Sequence, residues 1–166
     1  MTVQASAALT PFPPRHHAGM LPHATVDAGV LRLLLAVKRL ADVEATLAYL
    51  CTLAARARLH VVLLHVSPSG SEGDHEAREL LAYAAVRFDA HGIVHIGYIA
   101  VGDVVFTILD TAEQMACHLI VMPGRPTRRW PDLFSTDMRS KVARHCRDVP
   151  LIVVERNGAT PESVLP

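Results

Sequence analysis

The side chains able to do chemistry are scattered along the chain rather than grouped. His65 closes an apolar run, and His95 and His118 stand within or beside two others. A general base needs a nucleophile or an acid at a definable spacing. No Gly-x-Ser-x-Gly, His-Glu-x-x-His or paired carboxylates accompany these rings, so each reads as a hydrogen-bonded structural histidine and no catalytic residue is assigned. His16, His17 and His23 have neither a fixed spacing nor an acidic partner, and no metal site is expected. Cys51, Cys117 and Cys146 form no Cys-x-x-Cys pair. Each lies inside or beside an apolar run, as small reduced hydrophobes do, which points to a reducing, cytoplasmic compartment.

The cations are denser toward the C-terminus. Arg125, Arg128 and Arg129, then Arg139, Lys141, Arg144 and Arg147, are partly balanced by Asp132, Asp137 and Asp148. Such arginines either grip phosphate bidentately or form a solvated basic face. Lys38 follows the first apolar run, where it can meet an anion, pair with an aspartate or point to solvent. Trp130, with Pro131, Leu133 and Phe134, either covers a pocket or packs on a partner. Lys+Arg and Asp+Glu balance at 16 each, which removes any whole-molecule attraction to nucleic acid or an anionic membrane. Aromatics able to stack on bases are nearly absent from the basic region.

The elements that must position these groups repeat regularly. Residues 1–28, rich in Pro, Ala and His, read as a flexible leader. Leu31–Val37 is a nearly continuous apolar run, as in a strand buried on both faces of a parallel sheet. A helix over 41–57 follows, with Val43, Leu47, Leu50 and Ala54 on one stripe and Asp42 near its positive end. His60–Val66 is a second strand and 67–73 a loop. A second helix over 75–90 buries Ala77, Leu80, Leu81, Ala84 and Phe88, and Gly92 ends it in a left-handed turn. Ile93–Val101, a helix after Gly102-Asp103, His118–Met122, a helix carrying Met138 and Val142, and Val149–Val154 complete the series. Four strand–helix units closed by a strand imply an α/β, Rossmann-like three-layer α/β/α domain with a five-stranded parallel sheet and four helices. The domain is expected over 29–156, with 157–166 as a flexible tail. No apolar run approaches the ~20 residues that span a bilayer.

Three stretches resemble the universal stress protein family: Leu34-Leu-Ala-Val37, Val101-Gly-Asp103, and the run from His118-Leu-Ile-Val-Met122 through Val142-Ala-Arg-His145 to Pro150-Leu-Ile-Val-Val154. The resemblance covers about residues 31–155 and implies the strand order 3-2-1-4-5, with any ligand outside the carboxyl ends of the strands at the switch point. Nucleotide-binding members resemble one another in a Gly-x-x-Gly, nine residues, Gly-Ser/Thr loop after the fourth strand and an aspartate after the first. Placed on that frame, the glycines fall on Pro123, Pro126 and Thr136, the Ser/Thr on Asp137, and the aspartate on Lys38.

Each departure acts against phosphate. The prolines have no N–H, Thr136 brings a Cβ where backbone must come close, and Asp137 puts a carboxylate where the helix end would meet an anion. The pocket candidates are Val37, Lys38, Val66, Met122, Pro123, Gly124, Arg125, Ser135, Thr136 and Asp137. The expectation is a non-enzymatic stress-response protein without cofactor, ATP and AMP being disfavoured. The alternative is a sensor holding a nucleotide or other phosphate ligand with Lys38 and the loop arginines. As in the resembling family, Leu151, Ile152, Val153 and Val154 are expected at a sheet edge, where a second copy can pair antiparallel to make a homodimer; burial of this strand under the leader competes.

Overall fold

The computed structural model describes residues 10–12, 29–67, 74–124, 136–145, 149–154 and 162–164. Five parallel strands form the centre: β2 (Val30–Ala36), β3 (Arg58–Ser67), β4 (Val94–Val101), β5 (Leu119–Pro123) and β6 (Leu151–Val154). They lie in the order β4-β3-β2-β5-β6, the expected 3-2-1-4-5 when numbered among themselves. Helices α1 (Leu40–Ala54), α2 (Asp74–Ala90), α3 (Val104–Gln114) and α4 (Thr136–His145) are the crossovers.

The continuous apolar runs follow from burial on both faces. Leu33, Leu35, Val61 and Leu63 point into one core with Val43, Leu47 and Leu50 of α1 and Leu81, Ala84 and Phe88 of α2. Leu34, Val62, Leu64 and Ile120 point into the other, against Ile108 and Ala112 of α3 and Val142 of α4. A one-residue slip in register would exchange the two sets, so packing on both sides holds Leu34 opposite Val62.

Two helices end in the same way. The N–H of Ile93 bonds the Phe88 carbonyl and that of Gly92 the Asp89 carbonyl, with Gly92 at φ +66° as expected from the sequence. Cys117 and Ala116 repeat the pattern on Ala112 and Glu113, but here the left-handed position is held by alanine at φ +48°. The guanidinium of Arg32 takes up the Met115 carbonyl at 2.9 Å, and the Arg32 backbone meets His118 at both its ring Nδ1 (3.1 Å) and its N–H (2.8 Å). The end of α3 is thereby tied to β2. His118 accepts at Nδ1, as a structural histidine.

Both edges depart from the sequence expectation. β1 (Thr10–Phe12), inside the stretch read as a flexible leader, pairs antiparallel with β4. β7 (Glu162–Val164), inside the stretch read as a flexible tail, pairs antiparallel with β6, matching Leu151 with Val164 and Val153 with Glu162. Leu151–Val154 is therefore not an edge strand, and the segment lying along it is the tail rather than the leader. A three-residue strand is too short to show a period of two, which is why neither was legible.

Candidate functional site

The crevice outside the carboxyl ends of β2 and β5 is where the order reverses. Val37 continues β2: its N–H donates to the Leu64 carbonyl at 2.9 Å, and its side chain is buried. Lys38 and Arg39 are exposed, and their backbone N–H groups both donate to Asp42 Oδ2, at 3.0 and 2.9 Å. These two donors face a carboxylate supplied by the chain itself. Asp103 is the N-cap of α3 and accepts from the Phe106 N–H inside that helix at 3.0 Å. Of the two helix N-termini opening on this side of the sheet, α3 is thus capped by Asp103, and α1 carries Asp42 in its first turn, where it holds the backbone ahead of the helix.

On β3, Val66 is half-buried and Ser67 buried. The Ser67 carbonyl accepts from Gly102 at 3.1 Å, closing β3 onto the start of α3. Gly102 has φ +151°, and a Cβ there would stand 3.3 Å from Thr107 Oγ1, so this turn requires glycine. The His65 ring Nδ1 lies 3.2 Å from the Val37 carbonyl, which can only accept, so Nδ1 carries the proton. Burial holds this imidazole below its usual 6.5, aided by the charge of Lys38 and opposed by the Val37 bond and Glu76. The ring is held as a neutral structural group.

The β5 side decides what the crevice can donate. Met122 is buried and Pro123 half-buried. Ile120 donates to the Pro150 carbonyl, and Gly124 donates to the Val154 carbonyl at 2.6 Å, so both N–H groups face β6. Successive peptide groups alternate along a strand, and position 123 therefore faces β2 and the switch point. Proline occupies it and offers no N–H. Gly124, the one glycine at the head of the loop, has its donor committed to the sheet. Arg125 and Ser135 lie outside the described residues, and of Thr136 and Asp137 only the backbone, the first turn of α4, is described.

The structure thus brings together Val37, Lys38, Val66, Met122, Pro123 and Gly124 at the strand ends. The commitment of the Gly124 amide and the Asp42 carboxylate's hold on two backbone donors were not read from the sequence. Asp42 carried a signal, an acidic residue in a first helical turn. Gly124 carried none, because strand pairing beyond the last apolar residue has no side-chain mark. Burial pushes the Cys117 thiol up to about 12, so it is not a nucleophile. Among the described residues no three His, Cys, Asp or Glu side chains are placed to share a metal, and no helix is long and apolar enough to cross a membrane.

A family match covers residues 30–155, and the family is described as the universal stress protein family. None of the curated proteins compared matches the chain. Among solved structures, a universal stress protein in complex with cAMP has TM-score 0.59 at 16% identity, covering 78% of this chain and 99% of that one. The universal stress protein from Archaeoglobus fulgidus in complex with dAMP has TM-score 0.59 at 20% identity, covering 75% and 96%. A family protein from Arabidopsis thaliana with AMP bound has TM-score 0.58 at 15% identity, covering 76% and 92%. At these identities the likeness is one of fold.

Proposed function

Because this chain belongs to the universal stress protein family, we propose that it is a non-enzymatic, cytoplasmic stress-response regulator that acts through protein contacts and does not hold ATP by the family's glycine loop. The observation that carries this is at the switch point: Pro123 has no N–H to offer, and the Gly124 N–H is bonded to Val154 at 2.6 Å. A phosphate at this place finds no backbone donor from either residue. The neighbouring donors of Lys38 and Arg39 already face Asp42. Loss of two donors to a charged group, at about 1.5–3 kcal/mol each, weakens binding by about a hundredfold to ten-thousandfold. The contacts we propose include those of a homodimer through β6, whose Leu151–Val154 is rich in β-branched residues, once the β7 segment paired with its outer side gives way.

A second reading draws on the neighbours solved with cAMP, dAMP and AMP. In it a phosphate-bearing ligand enters the same crevice and is met by the side chains of Lys38 and the loop arginines instead of backbone amides. Titration calorimetry with ATP, ADP and AMP, with mass analysis of whatever co-purifies, separates the two. Micromolar ATP binding overturns the first reading. Binding that vanishes in both Lys38→Ala and Arg125→Ala supports the second.

A further inference from the structure

We propose that β7 is a displaceable cap, a strand of the chain's own C-terminal segment that keeps the edge of β6 from a second copy of this chain. The inference rests on the reading of β6 as the dimer strand and adds what controls it. The core side chains of β6 are already satisfied within the domain: Leu151, Val153 and Val154 are 2%, 8% and 6% exposed. What the strand has left to offer is the half-buried Ile152 side chain and its outer row of backbone groups. Those groups are matched by Glu162–Val164, antiparallel, at three positions.

Two antiparallel partners therefore compete for one edge. The internal one, Glu-Ser-Val, contains a single residue of high strand propensity. The external one is a second Leu-Ile-Val-Val, whose antiparallel pairing about a two-fold axis is longer by a residue and β-branched at three of its four positions. The internal strand has the tether in its favour. Only residues 155–161 separate it from β6, and a short tether gives an effective concentration on the order of millimolar. A second copy at micromolar concentration starts well behind a weak but tethered competitor. If the cap is closed about ten times as often as open, each copy loses about tenfold in apparent affinity, and the dimer about a hundredfold, since both must open. Whatever binds or removes Glu162–Val164 then switches the chain from one copy to two.

The test keeps the full chain. Adjacent N–H groups of a strand face opposite ways, so the double substitution Glu162→Pro, Ser163→Pro takes at least one donor from the β6 side wherever the register places it. Light scattering over a micromolar dilution series, with hydrogen exchange of the β6 amides, is read on this variant, on the parent, and on the variant carrying Ile152→Lys as well. The expected result is a parent that dissociates at concentrations about a hundredfold above the double-proline chain, with dimerisation abolished again by Ile152→Lys. A parent as dimeric as the variant overturns the cap; if Ile152→Lys still dissociates it, the β6 dimer stands without one. Two monomers overturn the proposal, and exchange tells which part failed. Amides faster in the variant show that β7 did cover the edge and the dimer reading fell, whereas equal rates show that the cap was never closed.

Discussion

Giving the crevice back its donor should give back the nucleotide. In a Pro123→Gly, Asp137→Ser chain, position 123 regains an N–H on the β2 side of β5, as the alternation with Ile120 and Gly124 requires. One hydrogen bond to a charged oxygen contributes about 1.5–3 kcal/mol. Removing a carboxylate from the first turn of α4 frees the positive end of that helix for an anion, an effect of about 0.3–1 kcal/mol. Together these amount to about 2–4 kcal/mol, or about thirtyfold to a thousandfold tighter ATP binding. Titration calorimetry with Mg-ATP reads the change directly. The glycine frees the unfolded chain at a cost of up to about 1 kcal/mol, so a thermal melt must accompany it. A folded variant that binds ATP no better than the parent, or a parent that already binds at micromolar concentration, refutes the donor argument.

Three further predictions concern groups at the site and at the end of α3. Asp42→Ala leaves the Lys38 and Arg39 N–H groups without their shared acceptor, and urea titration should show a loss of about 1–2 kcal/mol. Ala116→Gly relieves a left-handed residue at φ +48° and should raise the urea midpoint by an amount equivalent to about 1 kcal/mol, the reverse of the cost of glycine inside a helix. His65 has its folded pKa depressed below 6.5, chiefly by burial, so its folded state binds fewer protons than the unfolded chain. Its contribution is intact above about 6.5 and is lost as pH falls from there toward the folded value. His65→Asn keeps a donor for the Val37 carbonyl but cannot charge, and its stability should fall less on mild acidification than the parent's. Equal acid slopes in the two chains would rule His65 out as the cause.

Most of the fold was legible because burial on two faces writes itself into composition. The runs Leu31–Val37 and His60–Val66 could be read as central strands because no residue in them has to face water for long. The stripe Ala77, Leu80, Leu81, Ala84, Phe88 named the buried side of α2, and all five are buried. Gly92 named its own turn through its freedom at positive φ. The site was legible in part, since Pro123 loses its N–H in any fold, and the position of Lys38 follows from where the first apolar run stops.

The sequence by itself determined the parallel sheet, its four crossovers and the departure of the loop after β5 from the Gly-x-x-Gly pattern, because these depend on side-chain chemistry and spacing. Tertiary structure decided the rest. Whether the Gly124 amide faces a ligand or β6, whether Asp42 holds the backbone ahead of α1, and which strands end the sheet all depend on backbone groups meeting partners far along the chain. Every residue but proline carries the same N–H and carbonyl, so nothing in their order of appearance says which pairs will meet. That is why the edge strand expected at Leu151–Val154 was found covered, by three residues that leave no pattern of their own.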